Sequence, residues 1–387
     1  MLIKNGLVFT ENCQFSRSDV IVENGKITDI LPSYSGKTFP TETIDAEGCY
    51  VLPGLVDIHS HGAVNRDLCD GDPAGIKAIL AYNGAQGVTS ILLATMACPK
   101  PTLVTAIETA VPYINKDGYG TVLRGINMEG PFFSIEKRGA QNPEYIIPPD
   151  YGYFNEIYDL AQGHIKLLDL APEIKGSLGF IAEARKKCTV SLAHTSAGYD
   201  EAIAAFKAGA SHVTHLFNGM TGFTHKEPGI VGAAAELAAH VELISDGFHV
   251  HPAAVRAVFT WFGVNRVCLI SDSMRAAGMP DGTYDLMGQT INVNDGKAFL
   301  SKDGYYSIAG SVTNLADMCR RAVGFGITLE DAVQAATINP ARAVGLDNEV
   351  GSLARGKRAD ILLWDRDYKT RTVICGGKIF HHVGFNK

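Results

Sequence analysis

Between Leu55 and Ile270 the chain repeats one rhythm eight times: a short apolar run, then an Ala-rich stretch of helical periodicity. The runs are Leu55–Ile58, Val88–Leu93, Val122–Met128, Ile165–Leu170, Val190–Ala193, His212–Leu216, Val241–Ile244 and Val267–Ile270. Between them lie predicted helices such as Pro73–Gln86, Pro101–Ile114, Ser177–Lys187, Tyr199–Ala208 and Pro252–Phe262. Strands alternating with helices predict βαβ units and a parallel sheet. Eight such units suggest a closed α/β barrel of the (β/α)8 TIM type, here residues 53–344, whose ordinary size is ~250 residues. The alternative is an open doubly wound sheet. That fold wants a Gly-rich phosphate loop after its first strand, and Ile58-His-Ser-His-Gly62 is not one.

Both chain ends read differently. Residues 1–52 hold strand-like runs, with Asn24-Gly25 between two β-branched stretches as a hairpin turn. Residues 345–387 return to strand patterns from Ala359-Asp-Ile-Leu-Leu-Trp364 onward. Neither end is long enough to bury a generous core alone, so they are predicted to form one small β-sandwich domain together. Two stretches interrupt the repeat. Glu136–Tyr153 reads as a long loop. Tyr284–Ser307 reads as two or three strands with turns at Asn294-Asp-Gly and Asp303-Gly. Two helices are predicted beyond it, Asn314–Phe325 and Leu329–Thr337, the second capped by Thr328.

Composition removes several classes of function. The 387 residues are 46% apolar and 19% charged, with net charge −7, so no basic stripe offers a nucleic-acid surface. No apolar run reaches the ~18 residues of a membrane span, and no secretory signal pattern opens the chain. The eight cysteines form no Cys-x-x-Cys pair. They read as ordinary residues of a reducing, cytoplasmic compartment.

Barrel enzymes place their chemistry where the strands end, at the C-terminal face. The polar residues there are His59 and His61, Glu129, His194, His215, Asp246 with His249, and Asp272. His59 and His61 are two apart, so on a strand both rings project to one side. Taken singly, a strand-end histidine is a hydrogen-bonded structural residue and a lone carboxylate a helix cap. Histidines and carboxylates at so many strand ends, in one ring, point instead to a metal-dependent hydrolase. Zinc suits nitrogen and oxygen ligands of this kind, and iron or manganese fits them as well. His164 and His212 fall at the opposite face and read as structural. His251 either lines the site or caps the helix at Pro252. Glu173 reads as support for the site.

Leu52-Pro-Gly-Leu-Val-Asp-Ile-His-Ser-His-Gly62 resembles the opening signature of the amidohydrolase superfamily. Met128-Glu-Gly-Pro-Phe132, Thr214-His-Leu-Phe-Asn218, Glu227-Pro-Gly229, Asp246-Gly-Phe-His249, Asp272 with Ala276-Ala-Gly-Met-Pro-Asp-Gly282, and Ala309-Gly-Ser311 resemble one family within it, the N-acetylglucosamine-6-phosphate deacetylases. The resemblance runs nearly the whole chain. It implies that Glu129, His194 and His215 hold the principal divalent metal. It implies that His59 and His61 hold a second one, with Glu129 as bridge, so that each chain binds one or two ions. Asp272 matches the catalytic carboxylate, and Asn218, Gly219 and His249 the contacts to an amino-sugar phosphate. It further implies a homodimer.

Three positions depart from the family pattern. Gln141 stands where a histidine polarises the acetyl carbonyl; its amide donates a hydrogen bond but carries no charge. Lys226 replaces an arginine that binds phosphate from a neighbouring subunit, keeping the charge and losing the two-pronged fork. Gly219 replaces an alanine, a mild change expected only to loosen its loop. Gly310-Ser-Val-Thr-Asn-Leu315 also differs, near where the acyl group is expected. The alternatives to the leading reading are an amidohydrolase for another N-acyl amino sugar, the galactosamine isomer or an unphosphorylated one, and a non-catalytic sugar-phosphate-binding protein.

Overall fold

The computed structural model describes residues 1–32, 42–302 and 305–383. Its centre is an eight-stranded parallel sheet whose strands neighbour one another in chain order. They are Leu55–Ser60, Val88–Ala94, Val122–Phe132, Ile165–Leu170, Thr189–Leu192, His212–Val213, His240–Leu243 and Val267–Leu269. Strands covered on both faces must be apolar at nearly every position, which is why the sequence shows continuous runs rather than alternation. Val88–Ala94 and Val122–Phe132 are buried along their whole lengths.

The seam between the first and eighth strands closes through the loop that follows the eighth. Asp272 N–H donates to His59 O at 2.9 Å and His61 N–H to Ser273 O at 2.8 Å. Ser60 and Ser273 join their hydroxyls at 2.8 Å. The barrel is therefore shut by the same residues that carry the candidate chemistry.

The helices begin and end where local chemistry directs. Asp72 caps Pro73–Gln86 by accepting from Ala74 N–H at 2.9 Å, Pro73 occupies the first turn, and Gly87 ends it in the left-handed region. Tyr199–Ala208 and Pro252–Phe262 fall as predicted. The helix predicted at Pro101–Ile114 is an α-helix over Lys100–Ala110 followed by a short 3₁₀ turn. That predicted at Ser177–Lys187 stops at Ala184.

Strands from both chain ends join in one eight-stranded mixed sheet. Tyr50–Pro53 runs antiparallel to Ile361–Trp364, with Val51 opposite Leu363. Val20, Val51, Ile361 and Leu363 share a separate apolar core. Asn24 and Gly25 both have positive φ, as the predicted tight hairpin requires. The chain passes from this sheet into the barrel through Gly54. A Cβ there would stand 2.1 Å from Thr89 Oγ1, so only glycine lets the first barrel strand start so close to the second.

The excursion after the eighth strand has four antiparallel strands, Gly282–Leu286, Gln289–Asn294, Lys297–Lys302 and Tyr305–Ile308, rather than two or three. The extra turn is Met287-Gly288, both at positive φ. Methionine in the left-handed region is not a turn signal a sequence reveals. The turn predicted at Asp303-Gly304 lies outside the described residues.

His212 is structural, as its position predicts. It is fully buried beside Ser191 Oγ at 2.9 Å, and burial lowers its pKa to about 4. The unfolded chain takes up this proton near pH 6.5, the folded chain only near pH 4, so stability falls as pH drops through that window. The loss amounts to at most about 3 kcal/mol. Asp57, raised to about 6 chiefly by burial, slopes the opposite way over an overlapping range. Thermal midpoints of wild type and His212→Gln from pH 7 to pH 4.5 separate the two: the variant is expected to lose less stability on acidification. Parallel curves would remove His212 as the cause.

Candidate metal centre

At the C-terminal face of the barrel, side chains from widely separated strands converge on Glu129. His194 Nε2 and His215 Nε2 each lie 3.2 Å from Glu129 Oε1. His59 Nε2 lies 3.6 Å from the same oxygen, and His61 Nε2 lies 3.4 Å from Glu129 Oε2. Asp272 Oδ1 is 3.4 Å from His61 Nε2 and 3.6 Å from His59 Nε2. Two groups able to hold an ion result, His59–His61–Glu129 and Glu129–His194–His215, and they share Glu129.

The backbone aims these rings by an unusual device. His194, His215 and Asp272 lie two or three residues beyond the ends of their strands, and all three have positive φ. Non-glycine residues rarely adopt that region, and they collect at functional sites where the surroundings hold them there. The kink turns each side chain back over the barrel mouth.

Hydrogen bonds fix which nitrogen faces the centre. His194 Nδ1 donates to Lys137 O at 2.9 Å, and His215 Nδ1 donates to Asn218 O at 3.1 Å. A carbonyl oxygen can only accept, so Nδ1 carries the hydrogen on both rings and Nε2 is turned inward. Those two Nε2 atoms face each other at 3.2 Å. Neutral, they confront each other with lone pairs. His59 Nε2 is fully buried without a hydrogen-bond partner. This donor set fits a divalent cation bound by nitrogen and carboxylate oxygen. The carboxylates are prepared for it. Burial opposes charge on Glu129, but where the surrounding histidines are protonated their hydrogen bonds and charges hold its carboxyl well below the usual range, a countercharge that a cation would supply among neutral rings. Asp272 is likewise held low: burial is outweighed by the His61 hydrogen bond and by the charges of His59, His61 and His215.

A cavity of roughly 280 Å³ opens onto Glu129, His194, His215 and Asp272. Asn218, Gly219 and His249 line it, as does Gln141, while Met96, Met274, Leu286 and Ile308 supply apolar wall. His249 Nδ1 pairs with Asp246 Oδ2 at 2.6 Å, which fixes its ring at the rim. Glu173 accepts from Thr195 Oγ1 and from Ser196 N–H, both at 2.6 Å, and so braces the turn that carries His194.

Gln141 and Gly219 depart from what their sequence suggests, and Lys226 and His251 each fall within one of the readings their sequence offers. Gln141 does not simply face the cavity: its Oε1 accepts from Ala97 N–H at 2.8 Å and its Nε2 donates to Glu129 Oε2 at 2.7 Å. Gly219 is more than a loosening. It has a φ of +58°, and a Cβ there would stand 2.8 Å from His194 Nδ1, so alanine would press on the ring. Lys226 is exposed and lies outside the cavity lining of its own chain. His251 caps the helix, its Nδ1 accepting from Ala253 N–H at 3.2 Å. One residue escaped sequence reasoning altogether. Glu242, in the seventh strand, is fully buried and its Oε2 lies 2.9 Å from His59 Nδ1. The available signal was a charged residue inside an apolar run, which has to find a partner.

Residues 50–380 match the sequence profile of the Amidohydrolase family. Over 98% of this chain and 96% of its own length, an N-acetylglucosamine-6-phosphate deacetylase from Bacillus subtilis is 33% identical. An N-acetylgalactosamine-6-phosphate deacetylase from Escherichia coli O157:H7 is 31% identical over 96% of this chain and 97% of its own. The crystal structure of N-acetyl-D-glucosamine-6-phosphate deacetylase from Mycobacterium smegmatis superposes with a TM-score of 0.91 at 30% identity, covering 98% of this chain and 99% of that one. With its parallel barrel and its converging histidines and carboxylates, the chain belongs to the amidohydrolase family and, within it, to the amino-sugar 6-phosphate deacetylases.

Proposed function

We propose that this chain hydrolyses the N-acetyl group of N-acetylglucosamine 6-phosphate, releasing acetate and glucosamine 6-phosphate. The observation that carries the reading is Asp272 Oδ1, buried at the cavity floor within 3.6 Å of both His59 and His61 and beside the Glu129 cluster. In this reading residues 53–344 form the catalytic barrel and 1–52 with 345–387 its β companion. Glu129, His194 and His215 hold one cation, and His59 and His61 with Glu129 hold a second. Zinc is the metal proposed, with iron and manganese as the alternatives its ligands admit. When bound, such a cation polarises a carbonyl and acidifies water. Asp272, ionised and next to the reacting atoms, takes the proton of the attacking water and delivers it to the departing amine. The amide C–N bond breaks, a C–O bond forms, and acetate and amine leave. Gln141 has a second amide hydrogen free of Glu129, placed to meet the acyl oxygen.

The cavity lies just below the ~300–1,000 Å³ of ordinary small-molecule sites, which suits a monosaccharide. Asn218, Gly219 and His249 bind the sugar phosphate. Lys226, exposed and outside the lining of its own cavity, serves the cavity of a second copy in a cytoplasmic homodimer. Lys226→Ala is then expected to raise KM at least tenfold for the phosphorylated sugar and little for its unphosphorylated analogue, the loss of one charge-assisted hydrogen bond (about 1.5–3 kcal/mol). Equal effects on both sugars would discard this role.

A second reading has a specific support: the Escherichia coli relative, at 31% identity, is named for the galactosamine isomer. Acetate release measured across both 6-phosphates and their unphosphorylated forms decides between them. The highest kcat/KM is expected for N-acetylglucosamine 6-phosphate, and the reverse order would move the assignment to the galactosamine isomer. Absence of hydrolysis from every sugar, in protein without metal, would favour a binding protein.

A further inference from the structure

We propose that Glu242 is a positioning residue that couples the two cation groups, presenting His59 to one and fixing the backbone of His215 in the other. This rests on the two-cation reading above and adds to it a residue from the seventh strand. Glu242 Oε2 lies 2.9 Å from His59 Nδ1 and accepts the His215 backbone N–H at 3.1 Å. One oxygen thus ties the first strand to the turn after the sixth, across the barrel interior. The side chain is fully buried. Among the described residues its ion pair is with His59, and its other oxygen has no hydrogen-bond partner. A carboxylate kept for packing alone would be neutralised by an arginine or lysine or held by several donors. This one spends its bonds on two residues of the site.

The chemistry is specific. A carboxylate can only accept, so His59 must carry its hydrogen on Nδ1 and turn an unprotonated Nε2 toward Glu129 and Asp272. That same Nε2 is the buried nitrogen left without a partner. The negative charge also makes the imidazole a more basic ligand. His194 and His215 have their Nδ1 atoms held by main-chain carbonyls, which are neutral. The two groups therefore differ in tuning: the His59 group alone has a charged partner behind its histidine. Loss of that charge is felt mainly by the cation that His59 would hold.

The test uses full-length protein stripped of metal and titrated with Zn²⁺ by calorimetry, in wild type, H59N and E242Q. Wild type is expected to take two equivalents and H59N one. E242Q is expected to bind the first as wild type does and the second about 10–100-fold more weakly. ¹⁵N-histidine spectra of the wild type should show His59 protonated at Nδ1, a readout that needs no variant to fold. E242Q binding both equivalents with wild-type affinity would overturn the proposal, as would a wild-type His59 bare at Nδ1. A wild type taking a single equivalent, unchanged in H59N, would overturn the two-cation reading itself and the coupling with it.

Discussion

An Asp272→Asn enzyme is expected to lose about three orders of magnitude in kcat while retaining the wild-type metal content. The substitution is nearly isosteric, and the backbone that places it is unaltered: Asp272 N–H still reaches His59 O at 2.9 Å and Ser311 N–H still reaches Asp272 O at 2.7 Å. An amide oxygen can occupy the place of Oδ1 beside His61, but it cannot take up and return a proton at neutral pH. Removal of a positioned acid–base group costs ~10²–10⁴ in rate. Glu129, His194 and His215 are untouched, so elemental analysis should find that group still loaded. The assay is initial-rate acetate release at saturating substrate. A variant turning over near the wild-type rate would take Asp272 out of the proton path.

Glu129→Gln should have a broader effect, loss of both cations together. Glu129 is the one residue common to the two groups. Its Oε1 faces His194 and His215, and its Oε2 faces His61 while accepting from Gln141. Glutamine turns an NH₂ group to one of these sides, whichever way it is flipped, and removes the charge from both. The cation contributes several kcal/mol of charge stabilisation, so activity is expected to fall by roughly 10³-fold or more. Metal analysis after dialysis separates this from a defect in proton transfer: Asp272→Asn keeps its ion and Glu129→Gln does not. A Glu129→Gln protein that kept one full equivalent would show that the histidines alone suffice.

Much of this was legible in the chain because burial on both faces leaves a simple trace. The apolar runs mark the barrel strands to within a few residues, and the polar residues that follow six of the eight runs mark the candidate site. His59, His61, Glu129, His194, His215 and Asp272 are found together because strand ends of one barrel share one rim. What stayed hidden depends on contacts across the barrel or on exact backbone geometry. Glu242 sits inside a strand rather than at its end, so position in the run says nothing of its partner. Gln141 reads from sequence as a substrate contact, but only the structure reveals that Ala97 engages its Oε1 and Glu129 one of its two amide hydrogens. Gly219 looks like a mild exchange until the distance to the His194 ring is known. The fourth strand of the excursion was missed because Met287 occupies a turn position usually given to glycine or asparagine.

The seam of the barrel has a consequence for how the protein is made. Ser60 and Ser273, which meet across it, are 213 residues apart in the chain. At ~5–20 residues per second of synthesis, the first strand emerges roughly ten to forty seconds before its partner. During that interval the first strand has no partner on the side that later meets Ser273, and the rings of His59 and His61 lack the surroundings that bury them in the finished fold. A nascent chain released before Asp272 has neither a closed barrel nor a complete centre. Closing the barrel and completing the centre are therefore one and the same late step of synthesis.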